Sequence, residues 1–135
     1  MNTVLADTGY WIASINPKDQ YHEKAGKVTS DLGHCRIVTS EIILVEFLNA
    51  MSGFGKELRR AAYNLTISLR ENVNVDIEPA TSAQIREASD YYSERPDKSW
   101  SLTDCSSFLL MQKRNISEAL SADHHFTQAG YKALF

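Results

Sequence analysis

Short apolar segments alternate with helix-patterned segments along this chain, and that alternation restricts its fold more than any other feature. Residues 3–6, 35–39, 73–77, 118–123 and 131–135 each read as a short strand. Between them lie segments with helical periodicity and helix punctuation: 10–15, closed by Asn16-Pro17, 21–32, closed by Gly33, and 41–51, opened by Ser40 and broken near Gly53 and Gly55. Residues 56–70 place Leu58, Ala61, Ala62, Leu65 and Leu69 on one side of a further helix. Thr81 and Gln84 have the spacing of a capping box, opening a helix that runs to about residue 92. A polar loop over 94–100 precedes Ser101-Leu102-Thr103-Asp104-Cys105, which opens a helix through 106–114. Strands separated by helices predict an α/β protein with a parallel sheet and helices on both faces, a single-domain three-layer sandwich. No repeat or linker divides the sequence, so residues 1–135 are expected to form one domain.

Composition narrows the function. The net charge of −3 argues against a general nucleic-acid coat protein, which should be basic. An enzyme that meets nucleic acid through bound metal ions stays allowed. No apolar run reaches the roughly 20 residues needed to span a bilayer, and residues 1–7 lack the pattern of a signal peptide. Cys35 and Cys105 lie in apolar settings without CxxC spacing, which suits buried thiols in a reducing cytoplasm. A cytoplasmic protein is therefore expected.

Four acids stand out by position. Asp7 ends the first strand, Asp104 opens the late helix, Asp123 ends the following strand, and Glu46 lies inside the apolar helix. Asp7 and Asp123 are also good N-cap residues, and Asp104 can favour a first helical turn through the helix dipole. Glu46 has no such structural account. Its helical neighbours are Ile42, Ile43, Asn49 and Ala50, with no basic residue three or four positions away. A charge on such a surface is costly unless it is paired or bound to a cation. In an open α/β sheet, strand ends and helix starts share one edge, where ligands bind. Carboxylates gathered there repel one another, and a hard divalent cation such as Mg²⁺ or Mn²⁺ removes the repulsion. No Cys/His set has zinc spacing. The natural substrate of such a site is a phosphodiester. Positive side chains are then expected beside the cleft, with Lys56, Arg59 and Arg60 first among them, followed by Arg95, Lys98, Lys113 and Arg114. Trp11 and Trp100 suit core or lid positions better than a base-stacking platform.

Together, Asp7-Thr8-Gly9, the segment 19–25, Glu46, the run 101–108 and the run 122–131 resemble PIN-domain proteins, in particular the VapC-type toxins of toxin–antitoxin pairs. The resemblance covers essentially the whole chain. It implies a parallel five-stranded sheet and a metal-dependent ribonuclease. Asp7, Glu46, Asp104 and Asp123 would form the acidic quartet that binds Mg²⁺ or Mn²⁺, with Thr8 and Thr103 as supporting polar residues. It further implies a homodimer and a cognate antitoxin protein. His124 and His125 are not ligands of this pattern and read as loop residues, with a place near the substrate open to them. The alternative is a catalytically idle PIN-like module that binds a protein or RNA partner, and metal uptake separates the two. A phospho-accepting receiver domain fits poorly, because no adjacent pair of acids follows the first strand.

Overall fold

The computed structural model describes residues 2–135. Five strands form one sheet: β1 (Asn2–Ala6), β2 (Cys35–Ser40), β3 (Val75–Glu78), β4 (Glu118–Leu120) and β5 (Lys132–Ala133). Their spatial order is β3-β2-β1-β4-β5, and every pairing is parallel. The expected parallel five-stranded sheet is therefore present. β1 is the middle strand, aligned Asn2 to Cys35 on one side and Leu5 to Ala119 on the other. Val4, Leu5 and Ala6 are fully buried, as the centre of a sheet covered on both faces requires.

The helices are α1 (Thr8–Ile15), α2 (His22–Leu32), α3 (Glu41–Met51), α4 (Lys56–Glu71), α5 (Ser82–Ser93), α6 (Leu102–Arg114) and α7 (His124–Gln128). The local chemistry of their ends follows the sequence closely. Ser40 accepts from the Ile43 amide at the start of α3. Thr81 and Gln84 form a full capping box at the start of α5. Gly33 closes α2 at φ +62°, a conformation that side chains rarely adopt. Expected and observed strands differ mainly in extent. The run 118–123 yields a strand of three residues, because Ser121, Ala122 and Asp123 turn away from the ladder to start α7.

α3 buries Ile43, Leu44, Phe47 and Met51, while Val45 and Leu48 stay exposed. Trp11 and Trp100 are both core residues, their indole N–H groups satisfied by Thr39 and Gln128. Cys35 and Cys105 are free thiols. Among the described residues no helix is long and apolar enough to cross a membrane.

Candidate active site

The strand order reverses at β1. The chain leaves β1 for β2 on one side, and β4 takes the other flank. Such a switch point opens a crevice beyond the carboxyl ends of the two strands. Asp7 follows β1 directly, and Ser121 to Asp123 follow β4. The cleft here is lined by Asp7, Glu46, Asp104 and Asp123, so the structure brings the four acids singled out in the sequence into one place. Asp19 adds a fifth carboxylate on the α1–α2 connection.

Asp7 is 7 % exposed. It is the N-cap residue of α1 by position, yet its side chain caps nothing. Its Oδ2 instead accepts from the Ser121 hydroxyl at 3.2 Å. The Asp123 amide donates to that same hydroxyl oxygen at 3.0 Å, so Ser121 links two of the acids. Burial pushes the Asp7 carboxyl up to about 7, and the nearby charges of Asp104 and Glu46 push the same way. The Thr8 amide and Ser121 offset only part of this.

Asp104 combines two roles that compete on paper. Its amide donates to Ser101 Oγ at 3.0 Å, and its Oδ2 accepts from the Ser101 amide at 3.0 Å. That is a complete capping box with Asp in place of the usual Glu or Gln. Burial raises its carboxyl, against hydrogen bonds from Ser101 and His125 that lower it. Ser101→Ala removes the side-chain half of the box and should cost about 1 kcal/mol, a fall of roughly 3–5 °C in melting temperature. Thermal denaturation followed by circular dichroism measures this, and an unchanged midpoint would deny the cap its role.

Asp123 caps α7, accepting from the His125 amide at 2.9 Å. What the sequence does not reveal about His125 is its contact with Asp104. The residue lies in the first turn of α7, not in a loop, with Nδ1 2.9 Å from Asp104 Oδ2 and Nε2 3.2 Å from Ser99 Oγ. The spacing Asp123-x-His125 at a helix start was the available signal. The donor atoms of Asp123, His124 and His125 lie within 4.8 Å of one another. His124 faces solvent, however, and His125 is already engaged by Asp104, so this trio is not the better cation site.

Thr8 also lines the cleft, and its buried hydroxyl has no hydrogen-bond partner among the described residues. Thr103 is buried in the first turn of α6 but does not line the cleft. The expected flanking cations are elsewhere. Lys56, Arg59 and Arg60 line a different groove with Leu48, Met51 and Tyr63. Arg95 lies over the Tyr91 ring at 3.5 Å, Lys113 pairs with Glu87, and Arg114 pairs with Asp76 and Glu78. Among the described residues no lysine or arginine lines the acidic cleft.

Five carboxylates without a lysine or arginine, one of them buried and pushed up to about 7, suit a hard divalent cation with oxygen ligands. The orphaned Thr8 hydroxyl adds a polar atom with spare capacity at the same spot. Fold and cleft together define an α/β protein whose acids gather at the switch point of a parallel sheet.

The profile of the PIN domain matches residues 4–131, and the chain belongs to that family. It is 27% identical over 132 residues to the 23S rRNA-specific endonuclease VapC20 of Mycobacterium tuberculosis, from strain CDC 1551 / Oshkosh and equally from strain H37Rv, covering 95% of both chains. The crystal structure of Mycobacterium tuberculosis VapC20, described as a sarcin-ricin loop cleaving toxin, superposes with a TM-score of 0.83 at 24% identity, again over 95% of each chain. At that identity the superposition speaks for the fold alone.

Proposed function

We propose that this protein is a Mg²⁺- or Mn²⁺-dependent endoribonuclease, the toxin of a toxin–antitoxin pair, acting as one domain. The observation that carries the reading is the cleft itself: five acids, no lysine or arginine, at the ligand-binding edge of a PIN fold. Asp7, Glu46, Asp104 and Asp123 would hold the cation. A divalent cation in such a site polarises a phosphoryl oxygen and generates a nucleophile from bound water. The chain's own part is to aim the ligands. Ser121 fixes Asp7 from one side, the Ser101 capping box fixes Asp104, and the turn of α7 fixes Asp123. Thr8, with its spare hydroxyl, is a supporting polar residue in the same cleft. Thr103 acts only indirectly, through the first turn of α6.

RNA is the substrate class. Because its relatives are 23S rRNA-specific, ribosomal RNA is the first substrate to try. Among the described residues no lysine or arginine lines the cleft, so a bound cation would supply the positive charge for the phosphate there, while Lys56, Arg59 and Arg60 in their separate groove offer a second contact for the strand. A homodimer belongs to the same reading, and Val45 on α3 is an exposed apolar residue outside both the cleft and the Lys56 groove. A cognate antitoxin protein completes the assignment, and the cytoplasm is the compartment in which the toxin meets RNA.

Purified protein should cleave RNA in Mg²⁺ or Mn²⁺, fall silent in EDTA, and recover when excess Mn²⁺ is added. Gel analysis of 23S rRNA fragments reads this directly. Equal cleavage in EDTA would sink the metal mechanism. Metal uptake without cleavage of any RNA would favour an idle binding module.

A further inference from the structure

Resting on the cation-site reading above, the geometry points to His125 as a positioning residue that fixes the Asp104 carboxylate for cation binding. Three contacts set the imidazole. Its own amide donates to Asp123 Oδ1 at 2.9 Å, Nδ1 lies 2.9 Å from Asp104 Oδ2, and Nε2 lies 3.2 Å from Ser99 Oγ. The side chain is only 16% exposed. One residue thus ties the acid at the start of α6 to the acid at the start of α7, although they are far apart in sequence.

The tautomer follows from the partners. Asp104 must be ionised to hold a cation, and an ionised carboxylate only accepts, so in the cation-binding state Nδ1 carries the proton that points at Asp104. Nε2 then accepts from the Ser99 hydroxyl, and both ring nitrogens are satisfied. Nδ1 also lies 3.4 Å from Asp123 Oδ1, which places a donor between two carboxylates that repel each other. On Asp104, the Ser101 amide and His125 both converge on Oδ2. Oδ1 has no protein donor among the described residues, which leaves its lone pairs available to a cation. A carboxylate held through one oxygen cannot rotate freely, and the other oxygen is presented at a fixed angle. Hydrogen bonds of this kind, made behind a ligand, are commonly worth 10–100-fold in metal affinity.

The test uses the full chain and Mn²⁺ alone as probe. Calorimetric Mn²⁺ titration of the wild type, His125→Leu and His125→Asn is read beside their circular dichroism. His125→Leu fills the space without a donor and should weaken Mn²⁺ binding about 10–100-fold. His125→Asn places an amide N–H near the Nδ1 position and should restore most of the affinity. A merely structural histidine would not be rescued in that order. Ser99→Ala, which leaves the ring in place but unanchored at Nε2, should lose affinity in the same direction by a smaller factor. This variant keeps the inference testable should His125→Leu fail to fold. A folded His125→Leu that binds Mn²⁺ like the wild type overturns the assignment, as does a Ser99→Ala and His125→Asn pair that both match the wild type while His125→Leu unfolds. A wild type that takes up no Mn²⁺ overturns the cation-site reading itself, which separates the two failures.

Discussion

Asp7→Asn is expected to abolish RNA cleavage and, in the same protein, to stabilise the metal-free fold at pH 8. The first effect follows from the cation. A catalytic metal is worth several kcal/mol of transition-state stabilisation, and each 1.36 kcal/mol is tenfold, so the loss should be about 10³-fold or more. The second follows from burial. The Asp7 carboxyl moves from its ordinary 3.8 up to about 7 in the fold. The folded chain therefore binds this proton more tightly than the unfolded chain does. Its contribution to stability is fully present below about pH 4 and is lost as pH rises through about 7. Over that window the wild type should lose stability from this group, up to about 4 kcal/mol at 1.36 kcal/mol per pH unit. Burial of Asp104 acts in the same direction. Asn carries no charge at any pH, and its amide oxygen still accepts from Ser121. Urea denaturation of the two proteins in EDTA at pH 5 and pH 8 measures the difference. The gap should be widest at pH 8 and narrower, though still present, at pH 5. Mn²⁺ at pH 8 should raise the stability of the wild type far more than that of Asp7→Asn, because only the wild type keeps the full ligand set. An Asp7→Asn protein that cleaves RNA normally would remove Asp7 from the reaction. One that is no more stable than the wild type at pH 8 would deny the burial of the Asp7 charge its cost.

Much of this architecture is legible in the residues themselves. α3 runs over Glu41–Met51 as its apolar pattern and Ser40 cap require, and α5 starts at the Thr81–Gln84 box. The crossing of strands and helices determines that the sheet is parallel, and the four acids meet because β1 and β4 are neighbours. Where a strand stops is less legible. β4 ends at Leu120, since the hydroxyl of Ser121 and the carboxylate of Asp123 capture amides that would otherwise continue outward. An apolar run does not encode that local competition. The full capping role of Asp104 was underread for a related reason. The shorter side chain still reaches the Ser101 amide, which the usual Glu or Gln preference does not suggest. The surroundings of the basic residues are less legible, because a sequence gives charges and not partners. Arg114 looks free until β3 brings Asp76 and Glu78 beside it. His125 is the sharpest case, as its decisive contact is with a residue on another helix.

Phe126→Ala should be the most damaging single change outside the acids, and it should reach the site without touching it. α7 has five residues, too few to hold a helix by backbone hydrogen bonds alone. What holds it is Phe126, fully buried, edge-on to Phe108 at 5.1 Å between ring centroids. Phe108 in turn meets Trp100 at 4.9 Å and Tyr131 at 5.9 Å, so the ring of Phe126 keys α7 into an aromatic cluster under α6. Truncating a buried Phe to Ala typically costs about 3–5 kcal/mol. Here the loss would also release the segment that carries Asp123 and His125, the cap and the donor between two site acids. Mn²⁺ affinity and RNA cleavage should fall together with stability. Phe126→Leu keeps an apolar anchor without the edge-on contact. It should cost less than the truncation, on the order of 1–2 kcal/mol for an apolar swap that gives up an aromatic pair, and should retain Mn²⁺ binding at temperatures where it is folded. The pair of variants separates anchoring from mere stability. If Phe126→Ala, assayed well below its melting temperature, bound Mn²⁺ and cleaved RNA like the wild type, α7 would hold its acids in place without its core anchor. The alignment of Asp123 with Asp104 would then have to come from the Ser121 link to Asp7 instead.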